Sequence, residues 1–179
     1  MESSKEFIAA LTKILIQNKA IPEKDADLVI KEFEGYSKGA FDEFLLREGL
    51  VSKEDLLVAL GQYYHVPAVD VRGYFFDPGL IRAFPEDLLL HYAVVPLEVD
   101  QSIMTVVAAQ PNISGLAGKL EGYGTYVIEF RVGLYQYIID IIREYHEEEI
   151  PIDEQHLDED EARELIEEDD LNQFPDESI

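Results

Sequence analysis

The chain has 179 residues, 47% of them apolar, enough for one domain of ordinary size with an appendage. It holds no cysteine, which excludes a disulfide framework, a thiolate nucleophile and thiolate metal sites. Thirty-eight acids against 14 bases give a formal charge of −24, which makes nucleic acid and acidic membrane poor partners and a cationic protein surface a better one.

The opening MESSKEFIAALTKILIQNK lacks the basic start and small-residue cleavage site of a signal peptide. No run of about 18 apolar residues occurs that would span a membrane. A soluble cytoplasmic protein is the expectation. Residues 1–66 read as helices. Phe7, Ile8, Leu11, Ile14 and Leu15 recur at helical period, and Pro22 opens a second helix with Ala26, Val29, Ile30 and Phe33 as its apolar stripe. Gly35, Ser37 and Gly39 punctuate the chain before a short third helix carrying Phe41, Phe44 and Leu45. Ser52 and Asp55 then form an S-x-x-D capping signal ahead of Leu56, Leu57, Leu60 and Tyr64. The segment ILIQNKAIPEKDADLVI aligns with FLLREGLVSKEDLLVAL at an offset of 30 residues, which sets Lys19 against Gly49. Two related helix–turn–helix units are therefore expected to pack together.

Beyond Pro67 the pattern becomes mixed. Ala68–Val71 reads as a short strand, and Asp77-Pro78 and Pro85 open two brief helices. Ala93–Val99 and Ile103–Ala109 form a hairpin across Asp100-Gln101-Ser102. Gly115, Gly118, Gly122 and Gly124 weaken or interrupt the helix that follows, since each interior glycine costs about 1 kcal/mol relative to alanine; this stretch is expected to be the most mobile of the body. Tyr126, Ile128, Phe130 and Val132 alternate along a further strand, and Leu134, Ile138, Ile141, Ile142 and Tyr145 stripe a closing helix. The fold class is α+β, with the two helical units followed by a small three-stranded α/β sandwich whose sheet carries helices on one side. The divisions fall at 1–66, 67–146 and 147–179.

From His146 onward 16 acids face one base, a net of −15 that leaves −9 for the body. Leu165 and Ile166 sit within DEDEARELIEEDD, which reads as a short helix whose acidic start suits the helix dipole. Such a tail is either a solubilising extension or a segment that orders against a partner.

Motifs for chemistry are lacking. Gly118-Lys119 suggests a phosphate-binding loop, but Ile113 and Leu120 stand where that loop needs glycine and Ser or Thr. Among His65, His91, His146 and His156 no pair has helical i, i+3 or i, i+4 spacing. Acidic pairs arise everywhere by abundance. The expectation is no enzyme, no catalytic residue, no cofactor and no metal.

The words GLVSKEDLLVAL, HVPAVDV and VVPLEVDQSIMTVVAAQP, in that order between Gly49 and Pro111, carry a family resemblance. Together they resemble the N-terminal domain of type II secretion and type IV pilus assembly ATPases, over roughly residues 8–145. The resemblance implies a docking or regulatory module that binds a protein component of such a machine; the acidic charge argues against nucleic acid, the lack of a long apolar run against membrane insertion, and Ile113 and Leu120 against the ATPase motor. Some members of the family bind cyclic di-GMP through two helical motifs that begin Arg-Leu-Gly. The aligned triplets here are Ala10, Leu11 and Thr12, then Ala40, Phe41 and Asp42, of which only Leu11 matches. By that resemblance Leu11, Thr12, Phe41 and Asp42 would line the nucleotide groove. Without the guanidinium contacts and with Asp42 repelling, an anionic ligand would be poorly held. A cyclic di-GMP sensor with degenerate motifs is the alternative to protein docking.

Overall fold

A computed structural model describes residues 4–36 and 39–147; the acidic tail lies outside the described residues. The first helix, α1 (Lys5–Gln17), starts where the Ser4 hydroxyl accepts the Phe7 amide at 3.1 Å. A 3₁₀ turn at Glu23–Asp25 leads into α2 (Ala26–Glu34). Next come α3 (Phe41–Arg47) and α4 (Lys53–Tyr64), the latter capped by Ser52, whose hydroxyl accepts the Asp55 amide at 3.1 Å. Glu43 reaches back at the start of α3 to accept the Ala40 amide at 3.1 Å.

The 30-residue repeat appears in the backbone itself. At the end of α1 the Ala20 amide donates to Leu15 and the Lys19 amide to Ile16, with Lys19 left-handed at φ 61°. At the end of α3 the Leu50 amide donates to Leu45 and the Gly49 amide to Leu46, with Gly49 at φ 67°. Both are the same two-bond helix stop, which satisfies the last carbonyls through one left-handed residue. Beyond each stop the chain buries an aliphatic side chain, Ile21 in one copy and Val51 in the other. Leu11, Leu15, Phe41, Leu45, Leu56 and Leu60 then close a helical core with essentially no exposure.

The expected strand at Ala68–Val71 reduces to a single parallel bridge, Ala68 to Val132. The chain turns away at once, because the Asp70 carboxylate accepts the Arg72 amide at 3.2 Å and Val71 accepts the Tyr74 amide. Two brief helices follow, α5 (Pro78–Arg82), capped by Asp77, and α6 (Glu86–Tyr92). Strands β1 (Val94–Asp100) and β2 (Ile103–Ala108) pair antiparallel, with a bulge between Pro96 and Glu98. The short α7 (Leu116–Glu121) carries the chain across to β3 (Val127–Val132), which pairs parallel with β2. The last helix is α8 (Tyr135–Glu147).

The fold is α+β as expected, but the sheet is covered on both faces rather than one. Four consecutive residues of β1 and five of β2 are buried, and successive strand residues point to opposite faces. Only β3 keeps an alternating pattern, with Val127 61% exposed. Val132 and Leu134, at the end of β3 and just beyond it, belong to the helical core and not to the sheet core. The two halves thus share side chains.

Candidate functional site

The four positions singled out from sequence do not form one open surface. Leu11 and Phe41 have no exposure and Thr12 has 5%. The Thr12 hydroxyl is buried with no hydrogen-bond partner among the described residues. Asp42 differs, since it borders a groove of about 290 Å³. One wall is α3, with Asp42, Glu43, Leu46 and Arg47; the other is the start of α8, with Leu134, Tyr135, Gln136 and Tyr137. The α8 wall was not foreseen. Tyr135 and Tyr137 border the aliphatic stripe of that helix and pack against the core, so periodicity did not mark them as a wall.

The Asp42 side chain is half-buried where it borders the groove. Desolvation pushes its pKa up to about 6, against the opposing effect of its own and the Glu43 backbone amides, with the Glu43 charge adding to the rise. Burial chiefly, and the Asp42 carboxylate next, raise the Tyr64 phenol as well. Neither Asp42 nor Glu43 has an ion-pair partner among the described residues. The nearest cation in the wall, Arg47, instead lies over the Tyr36 ring at 4.6 Å and pairs loosely with Glu48 at 4.0 Å. The Gln136 amide is spent on Asp140 at 2.7 Å, and the Arg72 guanidinium covers the Tyr137 ring at 3.4 Å. The groove therefore offers apolar walls and two carboxyls without an ion-pair partner among the described residues, Glu43 being held by the Ala40 amide.

The other sequence candidates have local roles. His65 ends α4 in the left-handed conformation, and His91 lies edge-on to Tyr92 at 4.6 Å. His156 lies outside the described residues. Among those described, no group of three or more His, Asp or Glu residues could hold a metal ion. Lys119 of the near-match to a phosphate loop points over the Tyr92 ring at 5.7 Å.

Comparison with known proteins decides the family. The family model for the MshEN domain matches residues 64–152. The chain carries an MshEN domain. The fold agrees with a structure of MshE with cdg, at a TM-score of 0.59 and 16% identity, over 75% of this chain and 97% of that one. It also agrees with the N-terminal domain of XpsE, at 0.53 and 18%, over 80% and 97%. At those identities the likeness is one of fold. The resemblance to the N-terminal domain of secretion and pilus ATPases read from the sequence thus stands, and the G-x-x-x-x-G-K-[ST] loop of a motor is absent from the 179 residues.

Sequence relatives match this chain over a part of much longer proteins. The bacteriophage adsorption protein B of Escherichia coli K12 is 31% identical over 126 residues, which is 68% of this chain and 16% of that protein. An adenine deaminase of Petrotoga mobilis is 31% identical over 107 residues, 56% of this chain and 18% of that protein. The chain spans less than a fifth of either relative.

Proposed function

We propose that this MshEN-bearing chain is a non-catalytic docking module that binds a protein component of a secretion or pilus machine on its cytoplasmic side. The observation that carries the reading is the contrast between sealed and open positions. Leu11, Thr12 and Phe41 are closed into the helical core, while the open groove beside Asp42 is apolar and negatively charged. Such a groove suits a protein segment better than a phosphate. The charge of −24 adds long-range attraction to a basic partner, which raises association rate and selectivity more than affinity.

One observation favours a second reading. The fold is that of MshE, whose structure was determined with cdg, and this supports a cyclic di-GMP sensor with Leu11, Thr12, Phe41 and Asp42 at the ligand. Neither aligned triplet supplies an arginine, and a dianion would meet the Asp42 carboxylate.

Calorimetric titration of cyclic di-GMP into the folded full chain separates the two. The expected result is no saturable heat at near-physiological salt. Saturable micromolar binding would replace the docking reading with the sensor. A photo-crosslinking residue at Gln136, used in the native host, is expected to give a discrete protein adduct.

A further inference from the structure

The groove between α3 and α8 combines three features that bear on what fills it. It is apolar along Leu46, Leu134 and Tyr135. It presents two carboxylates from adjacent residues of one helical turn, Asp42 and Glu43. The one base in its lining, Arg47, is engaged on the Tyr36 ring, and the Tyr137 ring of the facing wall is covered by Arg72.

We propose that this groove seats an arginine or lysine side chain from a basic, apolar segment of a partner protein, its cation against Asp42 and Glu43 and its stem along Leu46 and Leu134. This rests on the docking reading and gives the partner its chemistry. Long basic side chains suit such a place because the alkyl stem covers apolar surface while the head reaches charge. Arginine fits better than lysine, since its planar fork can serve two carboxylates and is less strongly hydrated.

One feature pulls the other way. The first turn of α8 brings the positive end of a helix dipole to the same groove, about half a charge. At neutral pH the Asp42 and Glu43 carboxyls together still outweigh it. Burial also holds the Asp42 carboxyl up at about 6, against its ordinary 3.8. A bound cation restores the charged form and regains the interaction that burial has cost. An entering anion would gain from the α8 dipole alone and would meet both carboxyls.

The test is an NMR titration of the full chain with a capped twelve-residue peptide of alternating leucine and arginine, beside the same peptide with citrulline for arginine. The expected result is saturable shifts at the amides of residues 42–47 and 134–137. The citrulline peptide is expected to bind at least tenfold more weakly. The doubly substituted chain Asp42→Asn/Glu43→Gln is expected to lose binding by a similar factor. Its fold should persist, since asparagine and glutamine keep acceptors for the local amides that the carboxylates accept, and its amide spectrum away from the groove checks this. Equal binding by the substituted chain, equal binding by the citrulline peptide, or shifts confined to the acidic tail would each overturn the inference. The docking reading would survive any of these if the Gln136 adduct still forms, and would fall on saturable cyclic di-GMP binding.

Discussion

Asp42 is where the residue scale has most to say. A carboxyl raised from its ordinary 3.8 to about 6 in the folded chain holds a proton that the unfolded chain has already lost. Between those two values the native state binds more protons, so this residue's contribution to stability falls as pH rises through the window. Asp42→Asn removes that dependence. Urea unfolding is expected to show the variant more stable than the parent at pH 7.5, by on the order of 2 kcal/mol, with the difference vanishing below about pH 4. Lys19 and Gly49 give a second, cleaner case. Both stand left-handed at matching helix stops, and nothing lies within 4 Å of a Cβ placed on Gly49. Lys19→Gly is therefore expected to stabilise, and Gly49→Ala to destabilise, each by about 1 kcal/mol in the unfolding midpoint, through backbone preference alone. The alignment that put Lys19 against Gly49 was legible in the sequence. That a lysine could hold the glycine position was not, because residue type says little about φ once tertiary packing offsets the strain.

At the scale of elements, what could be read was what local chemistry dictates. The Ser52 cap, the Asp77-Pro78 start, the hairpin and the aliphatic stripe of α8 all stand as their residues implied. The misses lie where a neighbour decides. Ala68–Val71 has strand-like residues, yet a hydrogen-bonded turn at Asp70 limits the pairing to one bridge. Cover on both faces of β1 and β2 was written in their continuous apolar runs, a pattern of buried strands that the one-sided expectation passed over. The α8 wall of the groove depends on where β3 delivers the chain, which no periodicity encodes. Gly133, at that junction, donates its amide to Ala108 at 3.1 Å. A Cβ there would lie 2.6 Å from a Val107 methyl and 3.3 Å from Ile138. Gly133→Ala is accordingly expected to cost about 1–3 kcal/mol by overpacking, visible as a lowered thermal midpoint.

At the scale of the whole molecule, the shared side chains matter more than the division at residue 66. Val132 lies at the end of a strand of the sheet and packs with no exposure in the helical core. Val132→Ala is expected to cost about 2 kcal/mol, and native-state hydrogen exchange should report the loss equally at amides of α1 and of β2. Loss confined to one half would show that the halves open separately. Charge acts at the same scale. With −24 on the chain, association with a basic partner should slow about tenfold when salt is raised from 50 to 300 mM, while dissociation changes little. The parallel bridge at Val132 has a mechanical consequence. The Val132 amide donates to Pro67 and the Val69 amide donates to Val132, each at 2.9 Å, so two bonds on one edge of Val132 flank Ala68. Tension arriving through the helical half along residues 67–69 loads both bonds together, in shear, where a hairpin pulled from its open end would unzip bond by bond. Force entering along residues 67–69 would therefore be met at this stitch by two bonds at once.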